Sequence, residues 1–151
     1  MPDEELQLKK LLKELFKTQL FAALATQQSS RPYNNLIAFA ATEDVREILF
    51  VTNRGTRKYA NLLASGSVSV LVDSRTNHDS DFRNAVAVTA VGTAEEVKDS
   101  RKETLLKLYL VKHHNLEKFA NSSGAALFRV RVRAYYIVRN FQEVMELKME
   151  R

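Results

Sequence analysis

The spacing of apolar residues in the N-terminal segment predicts an amphipathic helix over residues 3–18. Leucine and phenylalanine recur there at steps of three and four residues, which places them on one face of a helix. The apolar positions are Leu8, Leu11, Leu12, Leu15 and Phe16, and the other face holds Lys9, Lys10, Lys13 and Glu14. After Thr18 this spacing ends, and short apolar runs of a different period take its place.

Two short apolar runs, at residues 20–26 and 35–41, flank a polar segment and predict a β-hairpin. A third strand is predicted over residues 46–52, and a short helix follows from about Thr56 to Ala64. Gly66 lies just beyond this helix. We expect it to end the helix, because glycine readily adopts the left-handed conformation of a C-terminal cap.

The second half of the chain alternates in the same way. Strands are predicted at residues 67–72, 84–97, 127–138 and 142–147, and helices at 100–114 and 116–120. Gly92 is expected to mark a bulge or a close approach within its strand. The polar residues 73–83 have little to bury, so we expect them to be mobile or ordered by a partner.

Strands in mostly hairpin order, with helices at the start, after the third strand and late, favour a mainly β fold with flanking helices, of the α+β class. We predict an antiparallel barrel of six to seven strands over about residues 19–147, within a single domain that spans residues 1–151. No Gly-x-Gly-x-x-Gly or Walker lysine motif occurs, so dinucleotide and nucleoside triphosphate folds lack support.

Composition narrows the classes of function. The chain has no cysteine, which excludes disulfides and thiolate metal sites, and its acidic start is unlike a signal peptide. Both features favour a cytoplasmic protein. The apolar runs fall short of the roughly 20 residues of a membrane helix, so no membrane partner is expected. The net charge of +5 admits a polyanionic partner without requiring one.

The segment 50–62 carries the strongest chemical signal. A predicted strand runs into a turn and then into a helix that begins with Arg54, Arg57 and Lys58 nearby, and no carboxylate occurs between Ile48 and Val72. A helix N-terminus already bears partial positive charge, so cations are unfavourable there. We therefore expect this turn to bind an anion, most simply a phosphate held by backbone N–H groups, the Thr56 hydroxyl and charged side chains.

The same segment resembles the FMN-binding split-barrel family, which includes pyridoxamine 5′-phosphate oxidase and smaller flavin reductase-like relatives. In that family, a Thr-Asn-x-x-Ser/Thr-Arg-Lys turn holds the FMN phosphate. This chain has Thr-Asn-Arg-Gly-Thr-Arg-Lys at residues 52–58. The helix and strand at residues 62–70 and the strand at residues 88–95, with Gly92, are also similar to the family pattern. The resemblance spans about residues 21–97.

The resemblance implies an antiparallel split β-barrel and a flavin-dependent oxidoreductase acting on an unidentified small-molecule substrate or electron donor. Its FMN would lie at a homodimer interface, where the second subunit completes the pocket. Residues at matching positions would hold the FMN phosphate, namely Thr52, Thr56, Arg57 and Lys58. A strand would run past the flavin ring and bind its polar edge through the main chain, at Asn34, Asn35, Leu36 and Ile37.

Two departures from the family pattern bear on the substrate. The oxidase has an arginine where this chain has Asn34-Asn35, which removes one phosphate contact. Its C-terminal Arg-x-His-Asp-Arg substrate motif and its tryptophans are also absent, because the chain ends Met149-Glu150-Arg151 and contains no Trp. Oxidation of vitamin B6 is therefore not expected even with FMN bound.

Other interpretations remain open at the level of sequence. Residues 56–58 could simply begin a capped surface helix with solvated cations. Some split-barrel relatives bind or degrade haem, and residues 81–95 and 138–141 are faintly similar to theirs. That function needs an axial histidine from His78, His113 and His114. A deazaflavin fits the same kind of pocket, and the protein could bind flavin or nucleic acid without catalysis.

Arginines alternate along the predicted strand 127–138 and continue just beyond it. They are Arg129, Arg131, Arg133 and Arg139, with Tyr135 and Tyr136 nearby. The bold interpretation is a single-stranded nucleic-acid surface. A solvated or dimer-facing strand, paired with Glu143, Glu146 or the acidic N-terminus, is favoured, since no RNA-binding motif occurs. No metal site is expected either, because His113 and His114 are adjacent on a helix and face different directions.

Overall fold

A computed structural model describes residues 2–150 of the chain. Its strands are β1 (Phe21–Gln28), β2 (Arg31–Ala41), β3 (Glu47–Asn53), β4 (Ser67–Asp73), β5 (Val86–Glu96), β6 (Ala125–Arg139) and β7 (Glu143–Lys148). Its helices are α1 (Pro2–Thr18), α2 (Arg57–Ala64), α3 (Asp81–Asn84), α4 (Lys102–Lys112) and α5 (Glu117–Ala120), with a 3-10 turn at His114–Leu116.

All strand pairs are antiparallel, and their order is β3-β2-β1-β4-β5-β6-β7. A further pairing of β3 with β6 closes six of the strands into a barrel, and β7 adds to it through β6. The 15-residue β6 pairs with β3 through its first half and with β7 through its second half. The prediction of a mainly β, antiparallel barrel with flanking helices is confirmed.

Alternation of apolar residues along the strands fills the barrel interior. Leu24, Phe39 and Val70 are fully buried there. The predicted face of α1 packs against this core, and the ring of Phe16 meets the ring of Phe39 edge to face at 5.6 Å. A second apolar cluster lies beneath α4, where Tyr109 is buried. The helix α4 therefore covers the outside of the barrel beside β2 and β3.

Gly66 and Gly92 both lie where the backbone approaches a neighbouring strand closely. Gly66 does not adopt a left-handed conformation, and the cap residue Ser65 is extended with φ −151°, so the predicted glycine cap is wrong. Gly66 is instead held close to the sheet, where a Cβ would lie 2.9 Å from Ala94 O. The prediction for Gly92 is confirmed, because the register shifts there and a Cβ would collide with the carbonyl of Arg131.

The polar segment 73–83 contains the start of α3, which the sequence pattern did not predict. The Asp81 carboxylate accepts hydrogen bonds from the backbone N–H groups of Thr76 and Asn77 and from the Thr76 hydroxyl. These bonds lower the pKa of Asp81, with the Thr76 hydroxyl contributing most. The loop therefore has its own hydrogen-bonded structure within the chain.

Candidate functional site

The turn between β3 and α2 is built around Thr56. Its hydroxyl donates to Asn53 O at 2.8 Å and accepts the N–H of Tyr59 at 3.2 Å, so Thr56 is the N-cap of α2. The hydroxyl of Thr52 lies 3.2 Å from that of Thr56, and Thr52 itself is buried. The two threonines therefore fix the position of the helix start relative to the end of β3.

The first turn of α2 is positively charged and open. Within the described residues 2–150, the backbone N–H groups of Arg57 and Lys58 have no hydrogen-bond acceptor, as expected for a helix start. The first turn contains no acidic residue. Lys58 is half-buried, and this burial lowers its pKa. Free N–H groups, two cations and the helix dipole together make a surface that attracts an anion.

Arg54 does not belong to this open surface, which corrects the expectation that three cations await one anion. Its Nη2 lies 2.6 Å from Glu96 Oε2, and its Nη1 donates to Ala125 O at 2.8 Å. The hydroxyl of Tyr59 donates to the other carboxylate oxygen of Glu96 at 3.3 Å. The carboxylate missing from residues 48–72 is therefore supplied by the end of β5, and it neutralises Arg54.

The strand β2 has one open edge beside α2. Residues 31–38 pair with β1, but β3 joins β2 only at residues 39–41. No described strand pairs with the other edge of residues 31–38, so the barrel is split there. The guanidinium of Arg57 lies 5.4 Å above the ring of Tyr33, which connects the start of α2 to this part of β2.

The stretch 34–37 divides between the two faces of β2. Asn35 and Ile37 face the same side as Leu24 and the core, whereas Asn34 and Leu36 face outward. Asn35 Oδ1 is buried and has no hydrogen-bond partner among the described residues. Since buried polar atoms are almost always paired, this oxygen points to a missing partner. The four side chains cannot all contact one ligand, although their main chain can line it.

Two residues that sequence reasoning gave no role hold the site together. Asn61 donates from Nδ2 to the hydroxyl of Thr26 at 3.0 Å, and both side chains are buried. This bond fixes α2 against β1. Glu96 is the other, through its bonds to Arg54 and Tyr59. For Asn61 the sequence signal is a polar residue at a position that the short helix buries. For Glu96 no local pattern gives such a signal.

The model of the family described as pyridoxamine 5′-phosphate oxidase matches residues 8–139 of this chain. The chain belongs to that family. The match includes β2, the turn and α2, which carry the open cationic site. Among curated proteins, no sequence matches this chain significantly.

Solved structures share the fold at low identity. A haem-binding protein from Mycobacterium smegmatis superposes with a TM-score of 0.82 at 12% identity, over 93% of this chain and 57% of that one. General Stress Protein 26 from Bacillus anthracis superposes with a TM-score of 0.71 at 15% identity, over 95% of this chain and 99% of that one. An FAD-binding protein from Mesorhizobium loti superposes with a TM-score of 0.66 at 17% identity, over 83% of this chain and 89% of that one. The chain thus spans little more than half of the mycobacterial protein.

The outer face of the sheet is apolar over several strands. Residues directly opposite in antiparallel pairs share a face, and the pairs run from Leu36 through Ala23, Leu71 and Thr89 to Tyr136. Leu36 is 70% exposed. Phe21, Leu71, Tyr136 and Val144 are other exposed apolar side chains on this face. Exposed apolar side chains grouped on one face in this way mark an interaction surface.

The histidines do not gather at this site. His113 is buried, and its Nε2 lies 2.6 Å from Phe39 O. Desolvation lowers the pKa of His113. Within residues 2–150, no group of three His, Cys, Asp or Glu residues is placed to hold a metal ion. No helix in this range is long and apolar enough to cross a bilayer.

The basic strand predicted at residues 127–138 has a different character from that expected. Arg129 is buried rather than solvated, and it forms ion pairs with Glu47, Glu95 and Asp99. Arg131 shares Glu95 at 3.0 Å. The expected partner Glu143 pairs with Arg139 at 3.3 Å. Most of this strand's charge is therefore neutralised within the chain.

Proposed function

We propose that this protein binds FMN at the start of α2 and acts as a flavin-dependent oxidoreductase on a small molecule. The observation that carries the proposal is the open, uncompensated positive end of α2. Arg57 and Lys58 stand there with free backbone N–H groups and no acidic residue in their turn. A dianionic phosphate satisfies all these groups at once.

The flavin ring would lie along the open edge of β2. The main chain of residues 34–37 can bind its polar edge, and the unpartnered Asn35 Oδ1 is a ready acceptor for a ring N–H. When bound, FMN would supply the redox chemistry, while the protein holds and orients it. The contact between Arg57 and Tyr33 brings the start of α2 beside this part of β2.

The apolar outer face of the barrel supports a homodimer. Leu36 projects from the same stretch of β2 that would line the ring, and it belongs to the exposed apolar face. Two copies meeting through this face would cover it and bring a second chain beside each flavin. A small electron donor or substrate would then enter between the subunits.

The names of the structural relatives, one haem-binding and one FAD-binding, make cofactor identity the first point to test. His113 already contacts Phe39 O, so a haem ligand from this chain would fall to His78 or His114. Purified protein should show flavin absorbance at about 450 nm. A Soret band would instead indicate haem, and an absorption band at shorter wavelength than that of a flavin would indicate a deazaflavin.

Titration with FMN and with riboflavin tests the phosphate assignment. We expect Arg57→Ala and Lys58→Ala each to weaken FMN about tenfold or more, since hydrogen bonds to charged groups contribute about 1.5–3 kcal/mol. Riboflavin, which lacks the phosphate, should bind these variants as it binds the wild type. Lys107→Ala, at an exposed position on α4, is the matched control. Equal losses for both ligands would contradict the proposal.

A further inference from the structure

A cavity lies at the opposite end of β2 from the α2 site, between α1, the end of β2 and α4. It has a volume of about 740 Å³, which is within the range of small-molecule sites. Ala40 and Ala41 line it, whereas Tyr33 contacts the start of α2. At about 3.3 Å per residue, the eight steps along the strand from Tyr33 to Ala41 separate the two sites by roughly 25 Å.

One face of α1 presents a row of lysines to this cavity. Lys10, Lys13 and Lys17 are spaced at three and four residues, so they follow one another along the same side of the helix. Lys13 pairs with Glu43 at 3.4 Å. Lys10 and Lys17 have no carboxylate within 4 Å among the described residues, so their charges are available to a ligand.

A fourth ammonium is fixed inside the cavity. Lys112, at the end of α4, donates from Nζ to Phe16 O at 2.7 Å, and Nζ lies 3.8 Å from the centre of the Phe39 ring. Burial lowers the pKa of Lys112 to about 8. An anion nearby would favour the charged form of this lysine, so binding of an anion and protonation of Lys112 support each other.

Apolar groups complete the lining. Phe16, Val45, Leu108 and Val111 border the same space, and Val111 is 84% exposed. Glu14 and Glu43 also line it, so the lining residues carry four cations and two anions. The excess of positive charge beside an apolar wall matches a molecule with an anionic head and an apolar body.

We propose that this cavity binds an organic anion, a carboxylate or phosphate monoester, with its head between Lys10 and Lys17 and its apolar body against Leu108 and Val111. The site is separate from the α2 site and does not depend on flavin binding. Its occupant would bridge α1 and α4.

The absence of tryptophan from the chain gives a clean way to test this site. Val111→Trp introduces one indole at the cavity, and Leu63→Trp introduces one at an exposed position on α2. The probes are octanoate, monooctyl phosphate and, as a neutral control, 1-octanol. Lys10→Gln with Lys17→Gln, in the Val111→Trp background, removes the two unpaired charges. Lys107→Gln, which removes one charge at a residue outside the lining, is the control.

We expect V111W fluorescence to change saturably with octanoate or monooctyl phosphate, and 1-octanol to bind more weakly. The double glutamine variant should weaken the anions about tenfold, as loss of charge-assisted contacts does, while Lys107→Gln should change nothing. Whichever of the two anions binds with the higher affinity identifies the preferred head group, carboxylate or phosphate. Failure to saturate at millimolar probe, equal binding by the double variant, or a response confined to L63W would each overturn the proposal. Thermal unfolding of each variant checks that the fold is intact.

Discussion

The guanidinium of Arg54 and the carboxylate of Glu96 lie 2.6 Å apart, joining the β3–α2 turn to the end of β5. This ion pair separates the cations of the turn into two kinds. Arg54 is neutralised by a residue 42 positions away, whereas Arg57 and Lys58 lie in the first turn of α2, which contains no acidic residue. Only the second kind is free to bind a ligand.

Arg54→Met combined with Glu96→Gln, which removes the ion pair without leaving a free carboxylate, should therefore affect FMN much less than Arg57→Ala does. We expect the first change to leave FMN affinity close to that of the wild type, because Arg54 already has its anion. The second change should lower affinity about tenfold or more. Parallel fluorescence titrations measure both. An equal loss for the two variants would mean that Arg54 leaves Glu96 to bind the phosphate.

Asn35→Leu should make the protein more stable and at the same time weaken its binding of flavin. The change removes a buried oxygen that has no partner in the ligand-free chain, so we expect the free energy of unfolding to rise by about 1 kcal/mol. It also removes the proposed acceptor for the flavin ring, so affinity for both FMN and riboflavin should fall. Urea unfolding and flavin titration test the two effects. Asn34→Ala, at the exposed neighbouring position, should change stability little. A less stable Asn35→Leu protein would contradict the argument.

The Asn61–Thr26 hydrogen bond should make the effects of changing these two residues on stability depend on each other. Asn61→Leu leaves the buried Thr26 hydroxyl unpaired, and we expect a loss of about 1–3 kcal/mol in unfolding free energy. Thr26→Val in the same protein replaces both partners by apolar groups and should recover part of that loss. A double-mutant cycle in urea measures the coupling. Strictly additive losses would show that the bond does not hold α2 to β1.

Lys112 should make stability depend on pH. Burial lowers its pKa from 10.5 to about 8, so between these values the unfolded chain binds more protons than the folded chain. The free energy of unfolding therefore rises with pH across this window, and the burial cost is fully present below about pH 8. The free energy of unfolding of the Lys112→Met variant should rise less steeply with pH than that of the wild type. The raised pKa of Tyr109, about 12, acts in both proteins and cancels from the comparison. Parallel slopes would contradict the assignment.

Local patterns predicted much of the fold, because alternation and helical spacing report burial directly. They placed every strand to within a few residues and found the bulge at Gly92. Effects that act between distant segments were not predictable in this way. The pairing of Arg54 with Glu96 and the burial of Arg129 depend on how strands meet in the closed barrel. The wrong cap at Gly66 has the same origin, since its close neighbour Ala94 belongs to β5.

For the candidate site, the turn motif identified the phosphate-binding candidates but not the geometry around them. The sequence could not show which of Asn34 and Asn35 faces the core, because that is decided by the register of β2 with β1. Nor could it show that Asn35 Oδ1 would be buried without a partner. Such facts require the positions of several strands at once.

The open edge of β2 also bears on how the protein avoids self-association. An unpaired strand edge can recruit a strand from another chain and so begin aggregation. Arg31 and Pro32 stand at the start of β2, where a charge and a residue without an N–H discourage such pairing. Further along, residues 33–37 have no such protection. A ligand seated on this edge would occupy its free hydrogen-bonding groups, so binding of the proposed cofactor would also protect the chain from pairing with a strand of another chain.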